Sequence, residues 1–252
     1  MLRNHSFGSG SLPDVRPETI ARRLGAMAAL SADEADFLHR AGAGAASLWA
    51  PRSLLEHTPG EFASPRYIIS GWAARVRELR DGRRQLVQLL LPGETLTPHL
   101  NVRQDGSTVQ AITLVRTVDG TAIRVAAGEP SKYPGIAEAV ALAAAHDRAL
   151  LMEQVVRLGR QTAHERMVNL MLELHYRCSA VGLVHDESFE FPLTQEALGD
   201  LLGLSVVHVN RTLQLLRQQE LIQLKHGRLT LLNMAGLAEV AEFKPPRLTY
   251  AN

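Results

Sequence analysis

LTQEALGDLLGLSVVHVNRTLQLLRQQELI, residues 193–222, carries helical apolar spacing that stops at Gly203-Leu204-Ser205 and then resumes. Thr194 suits an N-cap, because its hydroxyl satisfies an amide that the first helical turn leaves unpaired. Ala197, Leu198, Leu201 and Leu202 then share one face of a short helix. Gly203 ends it, and Ser205 caps a second helix in which Val206, Val209, Leu213 and Leu216 recur at spacings of three and four and are expected to point inward. Val207, Arg211 and Gln214 face the other way, with His208 and Asn210 on the flanks. The break is therefore a tight corner that exposes the start of the second helix. A helix-turn-helix has this geometry, with the second helix entering the major groove of DNA.

The side chains on that face suit base edges. An arginine bonds both acceptors of a guanine edge, asparagine and histidine read bases or phosphates, and a valine meets a thymine methyl. From Ser205 to Thr230 the charges are Arg211, Arg217, Lys225 and Arg228 against Glu220 alone, so this stretch is basic. QLKHGRLTLLN, residues 223–233, then reads as two short strands around Lys225-His226-Gly227-Arg228, a wing whose tip reaches phosphates. The competing explanation is an ordinary helical hairpin and surface hairpin with solvated charges.

Outside this stretch, bulk properties set limits. With 252 residues, 46% of them hydrophobic, the chain has material for two modest domains. A net charge of +1 decides nothing about partners, since a basic face can sit on a neutral whole. The single cysteine, Cys178, precludes an internal disulfide and an ordinary four-thiolate iron-sulfur cluster. MLRNHSFGSGSLPDVRP, residues 1–17, lacks the apolar core of a signal peptide, and no apolar run approaches a membrane span of about 20 residues. A cytoplasmic chain with no membrane partner is expected.

Residues 1–17 read as a flexible Gly/Ser/Pro-rich tail. Ser31-Ala32-Asp33-Glu34 has capping-box spacing and predicts a helix to about Ala41. From Leu48 to Val125, short Val-, Ile-, Leu- and Thr-rich segments are punctuated by Pro59-Gly60, Ser70-Gly71, Asp81-Gly82, Pro92-Gly93, Asp105-Gly106 and Asp119-Gly120. That rhythm predicts an antiparallel sandwich or barrel, with Asp81-Gly82 as a type I′ hairpin. After Pro134 a long helix is expected, its stripe including Ile136, Val140, Ala144, Leu151, Val155 and Leu158. These six are expected either to form a dimer seam or to pack on the chain's own sheet. A second helix should run from about Thr162 to Cys178.

The chain resembles the Crp/Fnr regulators from about residue 30 to residue 240. GLSVVHVNRTLQLLRQQELI followed by HGRLTLLN is similar to that family's recognition helix and wing, with Arg211 at the place of its base-reading arginine. RYIISGWAARVRELRDGRRQLVQLLLPGE, residues 66–94, is similar to the core hairpins of its cyclic-nucleotide-binding-like β-roll. The resemblance implies an α+β chain with a β-roll sensor domain at 18–130, a dimerisation helix at 131–160, a winged helix-turn-helix at 161–242 and a tail at 243–252. It also implies a homodimer on a two-fold symmetric site in double-stranded DNA, with the roll sensing a signal or contacting RNA polymerase. On this reading Val207, His208, Asn210 and Arg211 face base edges, while Thr194, Gln195, Ser205, Lys225 and Arg228 hold phosphates.

The chain also departs from the family. Val206-Val207 replaces a common Arg-Glu pair, so the usual base preference does not transfer whole. The phosphate cassette of the nucleotide-binding members pairs Gly-Glu-Leu with a later Arg-Ser or Arg-Thr. Here TLTPHLNVRQDGSTVQA, residues 95–111, sets Asp105-Gly106 at that place, which argues against cyclic AMP. Gly93, Glu94 and Arg103 remain the candidate effector-pocket residues, for an effector of unknown identity. The family's N-terminal cysteine cluster is missing.

Other residues carry less. His57, His99, His146, His164 and His175 show no metal-ligand spacing, so neither metal nor haem is expected. Cys178 at a helix end is expected to be inert, and Trp49 and Trp72 to be core. Arg75, Arg77, Arg80, Arg83 and Arg84 read as a solvated hairpin face, the alternative being a contact with polymerase or another acidic partner. No phosphate-cradling glycine loop, HExxH or GxSxG motif suggests an enzyme, and no cofactor is expected. The rival function is a ligand- or protein-binding module whose helix-turn-helix docks protein rather than DNA.

Overall fold

The computed structural model describes residues 16–55, 65–96 and 106–246. In chain order the elements are α1 (Thr19–Gly25), α2 (Ala32–Gly42), β1 (Ala46–Trp49), β2 (Arg66–Ser70), β3 (Ala73–Glu78), β4 (Arg84–Leu90), β5 (Thr95–Leu96), β6 (Ser107–Ala111), β7 (Val115–Asp119), α3 (Thr121–Ala127) and α4 (Pro134–Arg160). They continue with α5 (Ala163–Ala180), β8 (Ser188–Glu190), α6 (Gln195–Leu202), α7 (Val206–Gln218), β9 (Ile222–Lys225), β10 (Arg228–Leu231) and α8 (Met234–Val240). Strands β1-β7-β2-β5 form one antiparallel sheet and β4-β3-β6 a second. The third sheet, β8-β10-β9, belongs to the C-terminal part.

Strand alternation distributes the apolar side chains among three cores. Ile68, Trp49 and Val115 of the first sheet meet Ala73, Leu90 and Val109 of the second inside the roll. The neighbouring Tyr67, Ile69 and Val118 point out and pack on α1, α2, α3 and the start of α4. Ala74, Val76, Leu89 and Leu91 point out from the second sheet and join α5 to α8 in one continuous core. A side-chain period of two sends successive residues to opposite faces, so this sheet serves both the roll and the C-terminal part. Trp49 and Trp72 are both buried.

Two turns differ from expectation. At Asp81-Gly82 only Gly82 has positive φ (83°), and the Gly82 amide donates to Leu79 O while the Leu79 amide donates to Arg83 O. The loop is therefore three residues long with glycine in the left-handed region, not a type I′ turn. Positive φ at both central positions occurs instead at His226 (49°) and Gly227 (72°), between paired Lys225 and Arg228. Gly71 has no substitute: a Cβ there would lie 2.1 Å from Leu114 O, and its φ is 81°.

Helix α4 starts at Pro134 and α2 carries the full Ser31/Glu34 capping box. Glu34 also accepts the Ile136 amide at 3.0 Å, fixing α4 to α2. Ile136 is fully buried among α1–α3, so of its two expected covers it takes the chain's own core and not a dimer seam; an apolar stripe does not say which surface covers it. Val140 packs half-buried against the same core. Ala144 and Val155 are exposed and Leu151 and Leu158 half-buried. The exposed stripe of α4 runs Ala141, Ala144, Arg148, Met152, Val155, Val156 and Gly159. Met152 and Val155 are 62% and 64% exposed.

Candidate nucleic-acid interface

Helix α6 begins where Thr194 Oγ1 accepts the Ala197 amide at 3.1 Å. It ends at Gly203, whose left-handed φ of 64° and ψ of 38° make the corner. Ser205 Oγ accepts the His208 amide at 3.3 Å and so starts α7. Leu198, Leu201 and Leu202 of α6 and Val209, Leu213 and Leu216 of α7 close over Met167, Leu170 and Met171 of α5. Val206 was expected to join them but is 48% exposed. It occupies the first position of α7, where no preceding turn covers it; Thr212 is buried on the inward face instead.

The outward face of α7 presents Val206, Val207, His208, Arg211 and Gln214. Val207 is 68% exposed, the most open large apolar side chain of the described residues. Asn210 is half-buried, and its Nδ2 donates to Gln195 Oε1 at 3.3 Å, which ties the start of α6 to α7. His208 Nδ1 lies 3.0 Å from Ser205 Oγ, so the two share a hydrogen bond whose direction depends on the imidazole tautomer. In the β9-β10 hairpin Lys225, His226 and Arg228 are exposed, and Arg228 donates to Ser188 O at 3.2 Å, bracing the hairpin on β8. Arg217 is exposed as well. Cations thus line both the recognition helix and the wing, the charge pattern of a phosphate-tracking surface.

Behind this face lies a buried charge network that the sequence did not announce. Arg177 of α5 donates Nε to Glu94 Oε1 at 3.0 Å and Nη2 to Glu94 Oε2 at 2.7 Å. It also reaches Glu173 Oε1 at 2.7 Å and Leu89 O at 2.7 Å. Arg157 of α4 contacts Glu173, Asn169 and Gln154. Burial pushes the Glu173 carboxyl up, but Arg157 and Arg177 outweigh it and hold its pKa below the ordinary value. Arg157, Glu173 and Arg177 carry charges inside helical patterns, and charge in a helix reads as surface unless its partner is known.

The candidate effector residues fare differently. A cavity of about 540 Å³ lies between the roll and α4, lined in part by Tyr67, Arg75, Gly93, Glu94, Arg124 and Arg148. Gly93 (φ 88°) lets the chain pass close to α1, where a Cβ would lie 2.8 Å from Thr19 O. Glu94 reaches the cavity wall, yet its oxygens are already held by Arg177 and the Leu91 amide. Its carboxylate is thus a structural partner of α5. Burial, with Asp147 adding to it, pushes the Tyr67 phenol to about 12, so it stays a neutral donor in the cavity. Arg103, His57 and His99 fall outside the described residues.

Of the basic hairpin, Arg75 is buried, Arg83 pairs with Asp81, and Arg84 crosses to Asp200 of α6 at 2.5 Å; Arg77 and Arg80 are exposed. Among the described residues, no helix is long and apolar enough to cross a membrane, and no group of three or more His, Cys, Asp or Glu side chains forms a metal-binding cluster.

Known proteins agree with this architecture. Residues 165–240 match the Crp-like helix-turn-helix domain. The nitrogen fixation regulation protein FixK of Azorhizobium caulinodans is 28% identical over 167 residues, 66% of each chain. The transcriptional activator protein FnrL of Cereibacter sphaeroides is 28% identical over 168 residues, covering 64% of this chain and 65% of that one. The FixK2 structure from Bradyrhizobium japonicum superposes with a TM-score of 0.64 and 24% identity, over 78% of this chain and 96% of that one. A Crp/Fnr-family regulator of Thermus thermophilus gives 0.58 at 20% identity, over 79% and 98%. A roll, a long helix and a winged helix-turn-helix in this order, with these relatives, support a DNA-binding transcription regulator of the Crp/Fnr type.

Proposed function

We propose that the chain works as a homodimer on a two-fold symmetric duplex site and is not controlled by cyclic AMP. The observation that carries this reading is the solvent face of α7, where Val207, His208 and Arg211 stand clear of the core beside the cationic β9-β10 hairpin. Arg211 reads a guanine edge, Val207 a thymine methyl and His208 a neighbouring edge, with Asn210 held in reach by Gln195. Thr194, Gln195, Ser205, Lys225 and Arg228 meet phosphates and set the register. The uncovered stripe through Ala144, Met152 and Val155 supports the dimer, because an apolar face of that kind is ordinarily covered. The cavity beside α4 supports a small-molecule effector, and its four arginines, set against Glu94 and Asp147, favour an anionic one. A cytoplasmic location and a contact with RNA polymerase follow from the same reading.

Fluorescence anisotropy on a selected site and on random duplex tests this. Arg211→Ala should weaken the selected site by about 1 to 3 kcal/mol and relax one base position, whereas Lys225→Ala should weaken both duplexes alike. Equal losses for both variants on both duplexes would remove this assignment of roles. A chain that binds protein but no DNA would establish the rival docking function.

A further inference from the structure

The last carbonyls of a helix have no partner inside it. At the end of α6, directly before the Gly203 corner, they are taken by three other elements. Leu201 O accepts from Gln154 Nε2 of α4 at 2.7 Å and from Gln85 Nε2 of β4 at 3.2 Å. Leu202 O accepts from Arg166 Nη1 of α5 at 2.9 Å. Beside them Arg84 of β4 meets Asp200 of α6 at 2.5 Å. The Gln154 amide cannot turn freely, because Arg157 donates to its oxygen and leaves its nitrogen aimed at Leu201. Gln154 is buried, and Gln85 spends its amide on Leu86 O and Leu201 O, so neither serves as a DNA contact.

We propose that Arg84, Gln85 and Gln154 are positioning residues that latch α6 to the roll and to α4, and thereby set the half-site spacing the dimer accepts. This rests on the homodimer reading above. Gln161 and Thr162 alone join α4 to α5, and Arg157 of α4 orients α5 through Asn169 and Glu173. The shared apolar core holds the C-terminal part to the second sheet without direction, and the Arg157 and Arg177 bonds orient α5 on α4 and the roll but do not touch α6. The hydrogen bonds at the end of α6 are directional. One base pair advances the groove by about 3.4 Å and turns it by about 35°. Choosing one spacing over its neighbours therefore requires each recognition helix to be held by directed contacts to the part of the chain that carries the dimer axis.

The test uses the full chain, the double variant Arg84→Ala/Gln85→Ala on β4, and a second variant, Gln154→Leu. Affinity is measured for duplexes whose two half-sites are moved apart in single base-pair steps, and for a duplex with one half-site. Each net hydrogen bond is worth about a two- to twelvefold bias. The wild type should favour one spacing over its neighbours by about tenfold or more, and both variants should level that preference to within about threefold. Affinity for the single half-site should stay within about twofold, because α7 and the wing are untouched. The proposal is overturned if both variants keep the wild-type spacing profile. It is equally overturned if the single half-site is lost in parallel, which is what a purely structural role gives. A wild-type chain that binds DNA selectively but tolerates every spacing sinks the latch alone, whereas one with no selective DNA binding sinks the function it rests on.

Discussion

Replacing Arg177 by methionine should be among the most damaging single changes in the chain, and for an electrostatic reason. Methionine fills a similar elongated volume, so the loss is not chiefly one of packing. The guanidinium donates twice to Glu94 and once each to Glu173 and Leu89 O, with the Arg177 and Glu94 side chains only 2% and 4% exposed. Without it Glu173 keeps Arg157, but Glu94 keeps only the Leu91 amide in a largely desolvated site. Removing one partner of a buried pair costs about 3 to 5 kcal/mol. At about 2 to 4 °C per kcal/mol for a chain of this size, Tm should fall by about 6 to 20 °C. Adding Glu94→Gln removes the orphaned charge, so the double variant should recover part of the loss, with a coupling of about 2 kcal/mol. Thermal and urea unfolding at neutral pH measure all four corners of the cycle. A Tm drop under about 2 °C for Arg177→Met, or strictly additive effects, would refute the claim that this network joins α5 to the roll.

Acid should undo the same network. Glu173 has a depressed pKa in the fold, so its contribution is complete above its unfolded value of about 4.3 and is lost as the pH falls through the folded value. Glu34 behaves likewise: burial opposes ionisation, but the amides of Ser31 and Ile136 outweigh it. Tm should therefore hold between about pH 7 and 5 and drop below about pH 4; a rise on acidification would contradict this. Gly203→Ala should cost about 1 kcal/mol in urea unfolding, since its left-handed φ strains any Cβ while the space around it stays open, with contacts no nearer than 3.5 Å; Gly203→Asn should cost less. Burial pushes the Cys178 thiol to about 12 despite the opposing pull of Arg177, so iodoacetamide should label the chain only after unfolding. Stoichiometric labelling of the native protein would show that the helix end opens.

The parts of the molecule that the sequence made legible are those whose physics is local. Thr194, Gly203 and Ser205 mark the ends of α6 and α7 because caps and left-handed corners need particular residues at particular places. The Ser31/Glu34 box is equally local. Spacing identifies an apolar face without naming its cover, which left Ile136 with two candidate covers, and Val206 was misplaced because the first helical position lies beyond the packed stripe. Arg177 and Glu94 stood out least, since their pairing spans 83 residues of sequence and only the folded sheet brings them together. Short helices α1 and α3 have no side-chain cap, which left them without a signal at their N-termini.

Selection of binding sites from random duplex by the purified full chain decides whether α7 and the wing read DNA as a symmetric pair. An inverted repeat at one spacing should be enriched, its half-sites centred about one helical turn apart, with affinity that falls steeply as salt is raised. Enrichment of no sequence by the full chain, with or without small anions supplied for the cavity, would contradict it.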